Sequence, residues 1–429
     1  MRSITIRVLF LFLVPISALA IKANAQDIPV DTVRLTIKQA EDQFIKNNLR
    51  LIAQRYDIDN ASAQVITAKL FNNPDFSFNN GIYATDVSQG PAYKEQSFSL
   101  SELINTAGKR NKNIQLAKIG VQQAQYQFFD LLRTLKFTLR SDFYNIYYQE
   151  QSALVYDKEI NSLAQTLKLF KEQYQHGNIA EKEVLRIQSQ LYSLQAEYST
   201  LQNSIDTVQS EFRILIKASP RVYVKPLVDD SLIAGKNIVA STPYQRLLDS
   251  AYVHRYDLKL AQANVDYNNM NLRVQKATAV PDFSLSVNYD KLGGYGNNFL
   301  GAGVEFNLPF FNRNQGNIKQ ARIAIDQSNV QLQSQHDQVE SDVAVNYTNA
   351  LRLERVYNSF DPAFKNDFTK LIQAVFLNYQ KRNISLLEFL DFYDSYKTNT
   401  IQLNTIQLNR VLSLEQLNYV TGTPFFNQQ

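Results

Sequence analysis

The 429-residue chain has no cysteine and no tryptophan, two methionines and three histidines. Without cysteine there can be no disulfide, no thiolate metal site, no cysteine nucleophile and no lipidated N-terminal cysteine. His176, His254 and His336 lie far apart and none has a paired ligand spacing, so no metal centre is expected. No phosphate loop or nucleophile elbow occurs. Gly294-x-Gly296 and Gly301-x-Gly303 flank a strand pattern instead of opening a helix. Neither an enzymatic activity nor a cofactor is therefore expected. Excess charge is also scarce, with 44 Lys and Arg against 40 Asp and Glu. Three of the cations, Arg2, Arg7 and Lys22, fall in an N-terminal stretch that has no acid. The rest is close to neutral and lacks the basic stripe that a nucleic-acid partner requires.

The N-terminus itself has a charged, apolar and then small-residue order. Arg2 and Arg7 precede an apolar run at residues 8–20, and Ala23-Asn24-Ala25 precedes Gln26. That order predicts a secretory signal peptide over residues 1–25 and a mature chain over 26–429. No later run is long and apolar enough to cross a bilayer as a helix.

The mature sequence is duplicated. Pro74-Asp75-Phe76-Ser77 recurs as Pro281-Asp282-Phe283-Ser284, and Tyr174-Gln175-x-x-Asn178-Ile179 recurs as Tyr379-Gln380-x-x-Asn383-Ile384. Both motifs fall at equivalent places in two copies, about 34–217 and 244–422, joined by a linker at about 218–243. Each copy reads as a long helix, two short strands, a very long helix, a tight turn and another long helix.

Helical periodicity dominates each copy. Val184, Ile187, Leu191, Leu194, Tyr198, Leu201, Ile205, Val208, Phe212 and Leu215 step by three and four, the seam of a coiled coil. A similar stripe runs from Phe128 through Leu139 and Ile146 to Leu163, Phe170 and Tyr174. Two such helices joined at His176-Gly177-Asn178 form a hairpin far longer than a compact domain needs. The second copy repeats this with a less regular seam and an expected break at Asp361-Pro362.

The strands carry the functional information. Phe283, Leu285, Val287 and Tyr289 alternate with Ser284, Ser286, Asn288 and Asp290. Past an expected turn at residues 291–298, Leu300, Ala302, Val304, Phe306 and Leu308 alternate with Gly301, Gly303, Glu305 and Asn307. In the first copy Phe76, Phe78, Phe98 and Leu100 oppose Ser77, Asn79, Ser97 and Ser99. The longer runs match a tilted strand crossing a bilayer. Each hairpin is expected to stand alone between helices, with no second sheet in its own chain. Open strand edges are not tolerated in hydrocarbon, so the four strands must close into a barrel with other copies. Three copies would give twelve strands, with polar residues facing a wet lumen. The expected fold is mainly α with a membrane β-barrel: a long α-helical coiled-coil barrel plus four transmembrane strands per chain. The expected lipid-facing residues are Phe76, Phe78, Phe98, Leu100, Phe283, Leu285, Val287, Leu300, Val304 and Phe306.

This order of elements resembles the TolC-type outer-membrane efflux channels over residues 30–422. Leu308-Pro309-Phe310-Phe311-Asn312-Arg313-Asn314-Gln315-Gly316-Asn317-Ile318 and residues 383–391 are similar to the heavy-metal (Cus/Czc-type) branch. The resemblance implies a homotrimeric tunnel in the outer membrane of a Gram-negative bacterium, continued by helices across the periplasm. It also implies a periplasmic membrane-fusion adaptor and an inner-membrane RND-type pump as partners, with outer-membrane lipid around the barrel. The cargo would be heavy-metal cations or drugs. In the family, Gly-containing turns meet the adaptor, which points to Gly177, Asn178 and Ile179 at the first tip and Arg382, Asn383 and Ile384 at the second. Arg382 stands where the family commonly places Gly.

Glu388 and Asp391 are three apart and share a helix face just past the second tip, and Asp394 extends that line. Glu388-x-x-Asp391 stands where the TolC-type family places acidic rings, and the three residues are the expected periplasmic gate. A solvated acidic helix face is the plainer alternative. Other readings of the whole chain are a duct for protein or polysaccharide secretion, and a periplasmic adaptor or structural coiled coil. An adaptor should carry one hairpin flanked by Gly-rich β domains, and this chain has two.

Overall fold

A computed structural model describes residues 31–82, 96–229, 235, 237–293, 296–361 and 363–426. The expected signal peptide lies outside the described residues. The first half runs β1 (Asp31–Thr36), α1 (Ile37–Asn47), α2 (Leu49–Lys69), β2 (Asp75–Asn80), β3 (Gln96–Ile104), α3 (Lys109–Gln175) and α4 (Glu181–Ile216). The second runs β4 (Val222–Leu227), α5 (Tyr244–His254), α6 (Tyr256–Thr278), β5 (Phe283–Gly293), β6 (Gly296–Phe306), α7 (Gln315–Asn358), α8 (Phe364–Gln380) and α9 (Leu386–Thr421).

Helix α3 has 67 residues, with no proline and a single glycine, Gly120. At 1.5 Å per residue it spans about 100 Å. It packs antiparallel to α4 along the expected seam. Val184, Ile187, Leu191, Leu194, Ile205, Phe212 and Leu215 are buried there, while Tyr198, Leu201 and Val208 are partly so. In the second copy the corresponding helix is interrupted where expected, since α7 ends at Asn358 and α8 begins at Phe364; Pro362 lies outside the described residues.

Two further breaks leave no proline signature. Asn48 separates α1 from α2. Its side chain accepts the N–H groups of Arg50 (3.0 Å) and Leu51 (3.1 Å), capping α2. Its Nδ2 donates to the Leu215 carbonyl at 2.9 Å, which ties the kink to the end of α4. Arg255 separates α5 from α6 without a side-chain cap, and its guanidinium holds Asp257 (2.6 Å) and Asp342 (2.8 Å).

Three apolar clusters lie along the molecule. The first joins α1, α3, the end of α4 and Val224 of β4. The second joins α5, α7 and the end of α9. The third, near the hairpin tips, joins α3, α4, α8 and α9. Beside the first two, Arg140 of α3 holds Glu415 of α9 through two bonds (2.7 and 2.8 Å) and Glu41 of α1 at 2.7 Å. A charge this deep is retained because it is fully paired.

Two sheets are present among the described residues. Strands β1 and β4 pair in parallel, from Asp31 with Val222 to Thr36 with Leu227. The linker stretch thus supplies a strand; Pro226 is tolerated because a two-stranded sheet consists only of edges. The other sheet has the order β2-β3-β5-β6. This corrects the expectation that each hairpin stands alone: β3 and β5 pair antiparallel from Ser97 with Asp290 to Ile104 with Phe283. The apolar faces of the two hairpins are in register, so joining them buries backbone donors and acceptors without mixing faces. The turn expected at residues 291–298 is also shorter, since β5 runs to Gly293 and β6 begins at Gly296.

Candidate functional site

Alternation of side chains sorts the four-stranded sheet into two surfaces. Phe78, Phe98, Tyr289 and Leu300 form one row across it, and Phe76, Leu100, Val287 and Ala302 form the next. Leu285 faces Val304, and Phe283 faces Phe306. The ten residues expected to be apolar and outward therefore share one face. Phe283 is half-buried and the other nine are exposed. Glu102, opposite Leu285, interrupts that face. The reverse face carries Ser77, Ser99, Asn288 and Gly301 in one row and Asp75, Ser101, Ser286 and Gly303 in another. Strands β2 and β6 are the edges of the sheet.

At the other end of the long helices the two tips have one geometry. Gly177 has φ +72° and Arg382 has φ +60°. The N–H of Gly177 donates to Tyr174 and that of Asn178 to Gln173, each at 2.9 Å. The N–H of Arg382 donates to Tyr379 and that of Asn383 to Asn378, again at 2.9 Å. Both are Schellman closures, and both asparagine side chains donate back into the preceding helix, to Gln173 (2.8 Å) and Asn378 (3.1 Å). Arg382 therefore leaves the backbone of the second tip as glycine would. The tips meet across a cleft of 870 Å³ whose wall includes Phe170, Asn178, Ile179, Tyr379, Arg382 and Ile384. Beneath it Phe389 stacks on Tyr379 at 4.4 Å.

The acidic residues past the second tip differ among themselves. Glu388, Asp391 and Asp394 are all exposed, whereas Phe389, Tyr393 and Lys397 of the same helix are buried. Glu388 sits in the first turn, its N–H held by Ser385 Oγ at 3.2 Å, where a negative charge also suits the helix dipole. Asp394 is bound to Lys397 at 3.0 Å, so its charge is offset. Glu388 and Asp391 have no ion pair among the described residues.

Behind these acids lies a polar network that the sequence did not reveal. Lys397 Nζ donates to Glu197 of α4 at 3.0 Å, and Tyr156 of α3 donates to the same carboxylate oxygen at 3.1 Å. Tyr393 Oη donates to the Glu159 main-chain carbonyl at 3.0 Å. The Glu159 carboxyl is buried with no hydrogen-bond partner on either oxygen. Burial pushes its pKa up to about 8; Lys397 opposes that rise, and Asp394 and Glu197 add to it. This network joins α9 to the hairpin of α3 and α4. Long-range polar contacts leave no periodic trace in a sequence, although Lys397, one turn past Asp394, was a visible signal.

Among the described residues no helix is long and apolar enough to cross a membrane, and no group of three or more His, Asp or Glu is placed to hold a metal ion.

The profile of one family, described as outer membrane efflux protein, matches residues 41–215 and 247–423. No curated protein matches the chain. Several solved structures share its fold. The Campylobacter jejuni CmeC outer membrane channel is 16% identical with a TM-score of 0.72, over 92% of this chain and 87% of that one. CusC is 17% identical with a TM-score of 0.72, over 90% and 92%. The outer membrane protein VceC from Vibrio cholerae is 16% identical with a TM-score of 0.71, over 91% and 96%.

Proposed function

The chain belongs to the outer membrane efflux protein family, and from that premise we propose that it is the exit duct of a tripartite efflux system. Its members are transport channels and not enzymes. In this reading three copies close their four-stranded sheets into a twelve-stranded barrel in the outer membrane of a Gram-negative bacterium. The helical hairpins extend that barrel into the periplasm. The observation that carries the reading is the sheet: one face apolar and exposed, the other lined by Ser, Asn and Gly, with both edges open. Hydrocarbon tolerates such a surface only when the edges are closed. The outward row of Phe76, Leu100, Val287 and Ala302 then meets lipid, and the row of Ser77, Ser99, Asn288 and Gly301 meets water.

The tips at Gly177, Asn178, Ile179, Arg382, Asn383 and Ile384 dock a periplasmic membrane-fusion adaptor, which couples the duct to an RND-type pump in the inner membrane. Their matched backbones and the shared cleft support a single docking surface built from both copies. Glu388 and Asp391 gate the periplasmic mouth, where carboxylates from three copies would attract cations and repel anions. Asp394 belongs instead to the Lys397 network. A passive duct needs no coordinating site, so cargo is chosen by the pump; the stretches at residues 308–318 and 383–391 favour heavy-metal cations, with drugs as the alternative.

The test is efflux in a strain lacking this chain. Sensitivity to metal cations or drugs should rise and be restored by the natural chain. A Gly177→Glu, Ile384→Lys variant should reach the outer membrane as a trimer and fail to restore resistance. Full restoration by that variant would overturn the docking role.

A further inference from the structure

The duplicated Pro-Asp-Phe-Ser motif does different things in its two copies. In the second, Asp282 at the base of β5 accepts the Thr106 N–H at 2.7 Å and pairs with Lys109 at 2.8 Å. Thr106 Oγ1 donates to the Pro281 carbonyl at 2.7 Å, and Lys109 Nζ to the Val280 carbonyl at 2.7 Å. The motif thus clamps the base of β5 to the junction where β3 becomes α3. In the first copy, Asp75 at the base of β2 is exposed and has no ion pair among the described residues. Its strand is an edge, so no junction of its own chain lies beside it.

Internal equivalence identifies the missing junction. Phe76 faces Leu100 as Phe283 faces Phe306, so Leu100 corresponds to Phe306. Counting on from there, Thr106 corresponds to Asn312 and Gly108 to Asn314. The last pair agrees independently, because Gly108 and Asn314 are both left-handed N-caps, with φ +64° and +57°, opening α3 and α7. The junction equivalent to the one Asp282 holds is therefore residues 308–315, at the base of β6. Its apolar side chains lie open, with Phe310 67% and Phe311 95% exposed, while Asn314 ties the stretch to α6 by donating to the Gln275 carbonyl at 2.7 Å.

We propose that the first-copy motif clamps the β6 to α7 junction of a second copy of this chain, in the register that β3 and β5 already show within one chain. This deepens the duct reading and rests on it. Within the chain Ile104 faces Phe283, Glu102 faces Leu285 and Phe98 faces Tyr289. The equivalent contacts between copies place Phe310 opposite Phe76, Leu308 opposite Phe78 and Val304 opposite Ile82. All six are exposed apolar residues in the single chain, and each pair is apolar on apolar on one face. The other face places Asn307 opposite Asn79. Asp75 takes the place of Asp282, receiving the Asn312 N–H; Gln315 stands where Lys109 stands, so the cation comes instead from Arg313 of the second copy, two residues earlier.

The chain lacks cysteine, so engineered pairs report cleanly. Variants with cysteine at 78 and 308, at 76 and 310, or at 79 and 307 are oxidised in outer-membrane preparations and run on denaturing gels. Covalent trimers are expected from at least one of these in-register pairs, which cover both kinds of rung in an antiparallel ladder. None is expected from cysteine at 76 and 306, which this register sets about 13 Å apart along the strand. Linking at 76 with 306, or at none of the in-register pairs in a chain that is trimeric by size, overturns the proposal. A chain that is monomeric in membranes contradicts the duct reading itself. As a second measurement, Asp75→Asn should lower the temperature at which the trimer dissociates while leaving the helical circular dichroism unchanged. An unaltered dissociation temperature would count against the clamp.

Discussion

Gly177 and Arg382 occupy the same left-handed position in two hairpin tips, and each is followed by an asparagine that bonds back into the helix it leaves. One residue fits that backbone without penalty and the other does not, since a side chain with a Cβ is strained by about 1 kcal/mol in this region.

Exchanging these residues should have opposite effects. Arg382→Gly is expected to stabilise the second tip by about 1 kcal/mol and Gly177→Ala to destabilise the first by a similar amount. Nothing lies within 4 Å of a Cβ built at Gly177, so the loss there reports the backbone alone. Hydrogen exchange at the two tips measures each effect separately. Equal exchange in Arg382→Gly and the natural chain would show that the left-handed turn is unstrained.

Glu159 makes the junction near the tips sensitive to pH. Its pKa is about 8 in the folded chain, raised from 4.5 chiefly by burial, with Lys397 opposing and Asp394 and Glu197 reinforcing the rise. The folded state therefore holds a proton that the unfolded state has released between these values. This contribution is fully present below about pH 4.5 and is lost as pH rises towards 8, by on the order of 5 kcal/mol per chain. Denaturation followed across that range should show a falling stability that Glu159→Gln flattens. A parallel decline in the variant would assign the pH dependence to other groups.

Asn48 supports the kink in the first copy twice over. At 2% exposure, Asn48→Ala removes the cap of α2 and leaves the Leu215 carbonyl without its donor. The expected loss is about 2–4 kcal/mol. Asn48→Asp keeps the capping oxygen and loses only the donor, so thermal unfolding should place it between the two. A variant as stable as the natural chain would show that packing of α1 and α2 sets the kink unaided.

What was legible in the sequence was whatever repeats at a fixed period or twice over. The seam from Val184 to Leu215 and the alternation about Phe283 and Leu300 follow from burial on one face. The paired Tyr-Gln-x-x-Asn-Ile motifs marked both tips because the same turn needs the same residues. Strands β1 and β4 were missed because each is six residues long, they pair from distant parts of the chain, and Pro226 interrupts the second. The kinks at Asn48 and Arg255 are made by side-chain capping and ion pairs, which neither proline nor glycine announces. Joining of the two hairpins through β3 and β5 was hidden because their outward faces have the same composition. The Lys397 network and the Arg140 triad depend on contacts between distant helices, and a single sequence carries no record of them.

A water-filled duct with a cation-attracting periplasmic mouth should carry ions. Single-channel recording of the purified protein in planar lipid bilayers tests it most directly. The natural chain should give discrete conductance steps that prefer cations and are blocked by multivalent cations, and the Glu388→Gln, Asp391→Asn double variant should keep the steps and lose both properties. Incorporated protein that gives no conductance steps would contradict the duct, and natural and variant steps with identical selectivity and block would contradict the gate.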